Sequence, residues 1–511
     1  MGTSGTGAAK ADKAAGEEIV ISHKEDRALP ALALALFAAA LSHAIDINNG
    51  QYYPSALLWL TIAVGFCLIA VINPRVAKLE PHCRRWLPLI FAVLIADQTY
   101  YLLHEIGGSQ IVLAFGTITV LGLIQFFEIG RLRWPLMAIM VLAFCVAGKV
   151  AFNASYKFPG IDVFMFQSGA SHAVLHGINP YAMKYPNIYD PGTRFYGPGI
   201  VQNVGMIPQG FVELWHQILP EVVDASGRFP IGARYQHIIG DSGTLSVGCP
   251  YPPLSVLMAI PGYVLGGDVR YSLLLAMGLS AGLIAAARPN RVAALAATFL
   301  LLMPRALYVL ELSWTEPFLV LTFSLLMFCA CRWPKALPYA LGLYLSTKQY
   351  TVLTLPLLPL LIDGPHHWRT MGRLLLKAGI VVAVINLPFL FWDIHAFMRS
   401  LVLFQLLQSF RTDALSYLVF IHRCVPGFPV PSWIALLPLV VVIPLCLRRV
   451  TSSPAGFAAA VTAVHLFFFA FNKQAFCNYY YFVIATACWG IGATRFGTIQ
   501  AKTTAAPVIA Q

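Results

Sequence analysis

The sequence predicts an all-α polytopic membrane protein. Hydrophobic residues make up 58% of the 511 residues and charged residues only 11%, against roughly 25% charged in an ordinary soluble domain. Apolar runs recur from Ala28 to Ala493 with short polar interruptions. Because a helix needs roughly 20 apolar residues to cross a bilayer, we expect about 12–14 transmembrane helices and an outer-face loop that carries interfacial helices.

The candidate spans fall on either side of a long, less hydrophobic segment, Asn153 to Pro250. Five precede it: Ala28–Ile45, Ser55–Ile72, Arg85–Leu103, Gln110–Phe127 and Arg133–Phe152. The later ones are Pro252–Gly266, Tyr271–Ala287, Arg291–Glu311, Thr315–Cys331, Ala336–Ser346, Thr351–Ile362, Met371–Trp392, Pro431–Leu447, Ala455–Phe471 and Cys477–Ala493. Several of the later runs are too short to cross a bilayer alone.

Loop charges predict the orientation of the chain, because cytoplasmic loops are enriched in Lys and Arg. They also account for the formal charge of +12, so we expect no nucleic-acid partner. Residues 1–27 form a predicted flexible cytoplasmic tail, residues 494–511 a second tail, and residues 153–250 an outer loop. Membrane crossings counted from the amino terminus and from the carboxyl terminus disagree by one near residues 250–290. This disagreement indicates a re-entrant or half-spanning segment there.

Asp162 begins the most informative stretch, Ile161 to Tyr181, just outside the fifth span. The stretch predicts an apolar-faced helix that ends at Gly177 and lies in the membrane interface. A carboxylate there could meet both a lipid headgroup and a water-soluble acceptor, which suits a general base. The alternative is that Asp162 only caps the helix, since Asp is favoured at a helix amino terminus.

Several short motifs share this predicted outer face, and together they resemble glycosyltransferase family 87, the polyprenol-phosphate-mannose-dependent transferases of the GT-C superfamily. After the Asp come Gly-x-x-Pro-Tyr (Gly177, Pro180, Tyr181), Tyr-Pro-Pro-Leu (Tyr251–Leu254), Thr347-Lys348-Gln349, Asn472-Lys473-Gln474 and Asn478-Tyr479-Tyr480-Tyr481. The resemblance implies a GT-C-like catalytic domain over residues 133–493. Residues 28–132 would then be additional N-terminal transmembrane helices.

The resemblance also implies an inverting transfer of a sugar, with mannose as the first expectation. Asp162 would accept the proton of the acceptor hydroxyl, and a polyprenyl phosphate would leave from the opposite side of the sugar. The expected partners are the membrane, a polyprenyl-phosphate-sugar donor and a glycan, lipid or protein acceptor, with the active site on the outer face of a bacterial inner membrane. No cofactor and no metal are expected.

A basic side chain should hold the donor phosphate, and Lys348 is the first candidate, followed by Lys473. The alternative for both is that they extend from a helix end to the lipid headgroups. Glu316 could orient the acceptor, or could simply favour a helix start. His172 and His176 lie on one helix face and are candidate substrate-binding residues, since the sequence offers no third ligand for a metal. The remaining candidate substrate-binding residues are Tyr181, Tyr251, Gln349, Asn478 and Tyr480.

Two other functions compete with this interpretation. Secondary transporters also have many membrane helices, but they commonly carry internal repeats and polar residues at mid-membrane, and neither feature is evident in this sequence. A glycan polymerase or ligase would share the lipid-linked donor, and such enzymes typically rely on Arg and His in an outer loop. The available residues are Arg194, Arg228, Arg234 and His237.

Overall fold

The computed structural model describes residues 21–496 except residues 23, 77, 106–108, 128–129, 155–157, 190–194, 207–208, 221, 224–226, 232–234, 239–240, 289, 364–366 and 428–430. It is mostly helical. Most of the two predicted tails, residues 1–20 and 497–511, lies outside the described residues. The part that is described contacts the bundle, because Ile21 forms a β-bridge with Ile362.

The first five helices coincide closely with the five predicted spans. The agreement is close because each of these apolar runs is long enough to cross a bilayer on its own. They are α1 Ala28–Asp46, α2 Pro54–Ile72, α3 Glu80–Glu105, α4 Ser109–Ile124 and α5 Arg133–Ala154.

The segment that follows α5 contains short elements instead of a further span. Helix α6 covers Asp162–Leu175, close to the prediction, and α7 covers Phe211–Ile218. Two small antiparallel sheets complete it: β1 Val201–Gln202 pairs with β4 Thr244–Leu245, and β2 Arg228–Ile231 pairs with β3 Tyr235–Ile238. Trp215 and Tyr185 are fully buried against α6, close to Gly169.

The second half of the chain is also helical. Its helices are α8 Pro253–Gly266, α9 Arg270–Ala287, α10 Arg291–Leu301, α11 Ala306–Glu311, α12 Glu316–Arg332, α13 Leu337–Leu345, α14 His367–Trp392, α15 Ile394–Met398, α16 Phe404–Leu407, α17 Tyr417–Cys424, α18 Leu437–Arg449, α19 Pro454–Ala470 and α20 Cys477–Gly492.

Prolines change two of the predicted spans. The single span predicted at Arg291–Glu311 is divided into α10 and α11 by Pro304, which lacks the N–H that a continuing helix would need. The short span predicted at Thr351–Ile362 falls mostly within Gln349–Leu360, which form a 3₁₀ helix that contains Pro356 and Pro359. Since a 3₁₀ helix rises about 2.0 Å per residue against about 1.5 Å in an α-helix, these 12 residues reach further than their number suggests.

The ends of the helices meet on two faces of the bundle. We call the face that holds Asp162 and Lys348 the cavity face. On the opposite face, Ser22 donates a hydrogen bond to the carbonyl of Ser452 at 2.7 Å, and Arg133 donates to the carbonyl of Ala285 at 3.0 Å. Helix α9 runs between the faces: it begins with Arg270 over the Phe164 ring and ends beside Arg133.

Helix α8 has both of its ends on the cavity face. It starts next to Tyr251, whose ring lies 4.9 Å from the Lys348 ammonium. Near its end, the Tyr263 hydroxyl donates to the carbonyl of Ile218 at 3.0 Å. This placement is the one that a re-entrant or half-spanning segment, as predicted near residues 250–290, would have.

Among the described residues, seven helices are long and apolar enough to cross a membrane: Ala28–Gly50, Pro54–Ile72, Glu80–Leu103, Ser109–Phe127, Gly130–Ala151, Arg270–Ala287 and Trp368–Trp392. The last of these exposes large apolar side chains, including Leu376, Val384 and Phe391. Apolar surface of this extent is rare on soluble monomers. The chain is therefore an all-α membrane protein.

Candidate active site

A cavity of about 590 Å³ opens on the cavity face, within the range of roughly 300–1,000 Å³ that is usual for ligand sites. Elements from the whole chain contribute to its wall. The charged side chains among its described lining residues are Asp162, Lys348, Arg411 and Lys473, and the amide side chains are Asn49, Gln51, Gln349, Gln405, Gln408, Asn472, Gln474 and Asn478. Aromatic rings fill much of the remaining wall.

Asp162 is the acidic residue of this wall. It is the first residue of α6, and the Tyr196 hydroxyl donates to its Oδ2 at 2.7 Å while the Tyr189 hydroxyl lies 3.2 Å from its Oδ1. Burial raises the pKa of Asp162, and the two tyrosine hydrogen bonds oppose that rise. The carboxylate is thus oriented by two side chains from outside its helix, which a cap alone would not require.

The two tyrosines belong to the part of the segment between α5 and α8 that folds back over α6. The Tyr189 ring stacks on Phe195 with 3.7 Å between ring centroids, and Tyr196 packs beside Phe404. Both hydroxyls have raised pKa values, mainly because they are buried and also because the Asp162 charge is close. They therefore act as neutral hydrogen-bond donors to the carboxylate at physiological pH.

Lys348 is buried in an ion pair and does not extend outwards. Its ammonium lies 3.0 Å from Oε1 of Glu316, whose side chain is 0% exposed. The Tyr350 hydroxyl donates to the same oxygen at 3.3 Å. Glu316 begins α12 and stands behind Lys348, outside the described lining of the cavity. It therefore compensates the lysine charge and does not itself reach the cavity.

Lys473 has a different environment. Its ammonium donates to the carbonyls of Gln408 at 2.7 Å and Leu406 at 3.3 Å, and no carboxylate pairs with it among the described residues. Burial lowers its pKa. A half-buried ammonium bound only by carbonyl dipoles gains more from a bound anion than one already paired with a carboxylate.

Arg411 is the third basic residue of the wall. It forms a two-point salt bridge with Asp413, at 2.9 and 2.7 Å. Its guanidinium lies 4.2 Å from the ring centroid of Phe195 and 5.0 Å from that of Phe476. Two aromatic rings and a carboxylate therefore fix its position, and its charge opposes the rise in the pKa of Asp162.

The other predicted site residues divide into two groups. Tyr251, Gln349 and Asn478 line the cavity with Asp162 and the two lysines. The described wall does not include Tyr181, Tyr480, His172 or His176, all of which make structural contacts. Tyr181 donates to the carbonyl of Tyr251 at 2.9 Å and Tyr480 to that of Leu415 at 2.6 Å.

His172 and His176 stack on each other with 4.0 Å between ring centroids. The spacing of one helical turn is as predicted, but Nδ1 of His172 lies 3.3 Å from the Tyr263 hydroxyl of α8. Within the described part of the chain, no third His, Cys, Asp or Glu joins them as a group that could hold a metal.

Among the site residues that sequence reasoning missed are Tyr189, Tyr196, Asn49 and Gln51. The first two lie in a segment without periodicity, and no pattern joins Tyr196 to a carboxylate 34 positions away. The Asn-Asn-Gly turn at Asn48–Gly50 predicts only a loop. Of the residues that favour a polymerase, Arg194 and Arg234 lie outside the described residues, as does the side chain of His237, while Arg228 begins β2.

Comparisons with family models, curated proteins and solved structures gave no match. The kind of substrate that the cavity could bind is therefore inferred from its lining residues alone. Among the described lining residues, the Asp162 carboxylate, held by neutral donors, faces the same space as basic side chains and many amides. Such a wall suits a substrate that carries both an anionic group and hydroxyl groups.

Proposed function

We propose that the protein is an inverting glycosyltransferase that moves a sugar, mannose in the first instance, from a polyprenyl-phosphate donor to a glycan, lipid or protein acceptor at the outer face of the membrane. The observation that carries the proposal is that Asp162 and Lys473 line one cavity. A general base and a site for an anionic leaving group are the two functions that this transfer needs.

In the proposed reaction, Asp162 accepts the proton of an acceptor hydroxyl as its oxygen attacks the anomeric carbon. The bond from that carbon to the phosphate oxygen breaks, and the lipid phosphate leaves with the electron pair. The phosphate is a good leaving group without protonation. A second carboxylate, which glycoside hydrolases use as a general acid, is therefore not required.

Lys473 is the better candidate for binding the phosphate, although the sequence favours Lys348. The Lys348 charge is already compensated by Glu316 at 3.0 Å, so binding a phosphate would have to compete with a buried carboxylate. Lys473 has only carbonyl partners among the described residues, and Arg411 lies in the same wall. The Arg411 guanidinium is already paired with Asp413 through two hydrogen bonds, so Lys473 is the first candidate and Arg411 adds a second positive charge to the same wall.

The test is a transfer assay with synthetic polyprenyl-phosphate-mannose, the purified protein and a panel of membrane-lipid and glycan acceptors. We expect transfer by the wild type, and we expect Lys473→Gln to raise the KM for the donor roughly 10- to 100-fold, since hydrogen bonds to charged groups contribute about 1.5–3 kcal/mol. Lys184→Gln is the matched control, because Lys184 is exposed and lies outside the cavity wall.

Two results would count against this proposal. If the wild type transfers no sugar from any polyprenyl-phosphate donor but moves a solute across vesicles, the protein is a transporter. If transfer occurs and Lys473→Gln behaves like Lys184→Gln, the phosphate binds elsewhere.

The pH profile should report the state of Asp162. Only the ionised carboxylate can accept a proton, so transfer should fall as the pH drops through the raised pKa of Asp162. Tyr196→Phe removes a hydrogen bond that lowers this pKa, and it should shift the acidic limb to higher pH. Tyr189→Phe, which removes the longer bond at 3.2 Å, should shift it less. Equal profiles for all three proteins would exclude Asp162 as the titrating group.

A further inference from the structure

The loop between α1 and α2 has a backbone that few residues adopt. Asn48 and Asn49 both have left-handed conformations, with φ of 53° and 56°, and Gly50 follows with φ of 71°. Non-glycine residues in this region cost free energy, and they persist where surrounding contacts hold them, often at functional sites.

Contacts from distant parts of the chain hold this loop in place. Arg305 donates to the carbonyl of Asp46 at 2.8 Å and pairs with its carboxylate at 3.0 Å. Gly50 lies so close to Cys477 that a Cβ would be 2.7 Å from its backbone nitrogen. The Tyr52 N–H donates to the carbonyl of Asp413 at 2.8 Å.

The loop places two amide side chains on the cavity. Asn49 and Gln51 both line it, whereas the neighbouring Asn48 is exposed and lies outside the described lining. Within the described chain, neither of the two amides forms a side-chain hydrogen bond. From Ile47 to Gln51 the loop has no charged side chain, so an ion would find little stabilisation from it.

An amide both donates and accepts hydrogen bonds, as a sugar hydroxyl does. We propose that Asn49 and Gln51 of this loop form a carbohydrate-binding wall, in which both amides bind hydroxyl groups of a neutral sugar. The proposal rests on the glycosyltransferase function, and it gives the first helical hairpin a direct part in substrate binding. The sugar can be that of the donor or that of the acceptor, and the two are separated below.

Asn49→Gly and Gln51→Ala test the wall, with Asn48→Gly as a matched control. Glycine readily adopts the left-handed conformation, so both asparagine variants remove one amide without adding strain. In the transfer assay we expect each cavity variant to raise one KM roughly three- to tenfold, with Asn48→Gly unchanged. A change in the KM for the acceptor assigns the wall to the acceptor, and a change in the KM for the donor assigns it to the donor sugar.

Binding can also be followed without transfer, by saturation-transfer difference NMR with methyl α-mannoside as the probe. We expect a signal from the wild type and Asn48→Gly, and a weaker one from Asn49→Gly and Gln51→Ala at equal thermal stability. Equal signals from all four proteins, or no signal from the wild type, would overturn the proposal that Asn49 and Gln51 bind a sugar. If the binding differences are found but the wild type transfers no sugar, the glycosyltransferase proposal fails and the wall remains.

Discussion

Asp162→Asn should abolish most sugar transfer while the donor still binds. The asparagine side chain has nearly the same shape. Its one carbonyl oxygen can still accept the hydrogen bond from Tyr196 and its NH2 group can donate to the Tyr189 hydroxyl, but it cannot accept the acceptor proton. General-base catalysis typically contributes roughly 10²- to 10⁴-fold, so kcat should fall by about that factor. The measurement is the initial rate of transfer from polyprenyl-phosphate-mannose at saturating donor, together with the KM for the donor.

Asp241→Asn is the control for this experiment. Asp241 is an exposed carboxylate in the same segment between α5 and α8 and is not part of the described cavity wall, so its replacement should leave kcat unchanged. If Asp162→Asn retains more than about a tenth of the wild-type rate, the carboxylate does not act as the base. The candidates would then have to come from elsewhere in the cavity.

Lys348→Met should strongly destabilise the protein. The change leaves the Glu316 carboxylate buried at 0% exposure with only the Tyr350 hydroxyl as a hydrogen-bond donor among its described partners. Removal of one partner of a buried ion pair typically costs roughly 3–5 kcal/mol. The free energy of unfolding in detergent micelles, measured by titration with a denaturing detergent, should show the loss.

The double variant Lys348→Met/Glu316→Gln separates the ion pair from local packing. It removes both charges, so it should lose much less stability than Lys348→Met alone, and the coupling energy of the double-mutant cycle should be large. Tyr350→Phe removes only one hydrogen bond to Glu316 and should cost about 0.5–1.5 kcal/mol. A cost below about 1 kcal/mol for Lys348→Met would contradict the buried pair.

The helices could be predicted from the sequence where their hydrophobic length alone decides them. Helices α1 to α5 begin and end near the predicted positions because each run has the length of a span. The second half was less predictable. Pro304 divides one apolar run, and Pro356 and Pro359 lie in a run that becomes a 3₁₀ helix. Hydrophobicity does not distinguish these runs from unbroken helices.

The candidate site residues that lie within short sequence motifs could be predicted. Asp162, Lys348 and Lys473 were singled out from local patterns, and all three line one cavity. The partners that set their properties were not predictable, because Glu316 reaches Lys348 across 32 positions and Tyr196 reaches Asp162 through a segment without a pattern. The periodicity of α6 places His172 and His176 together but does not tell which neighbour they face.

The contacts that fix the loop between α1 and α2 also determine when, during synthesis of the chain, this loop can take its final conformation. Asp46 is made 259 residues before Arg305, its partner, and Asp413 and Cys477 follow later still. A nascent chain therefore carries residues 47–53 through most of its synthesis without the groups that hold them. The loop reaches its final contacts only when α20 has emerged, and α20 also supplies Asn478 and Tyr479 to the cavity, so a truncated chain cannot form a finished cavity.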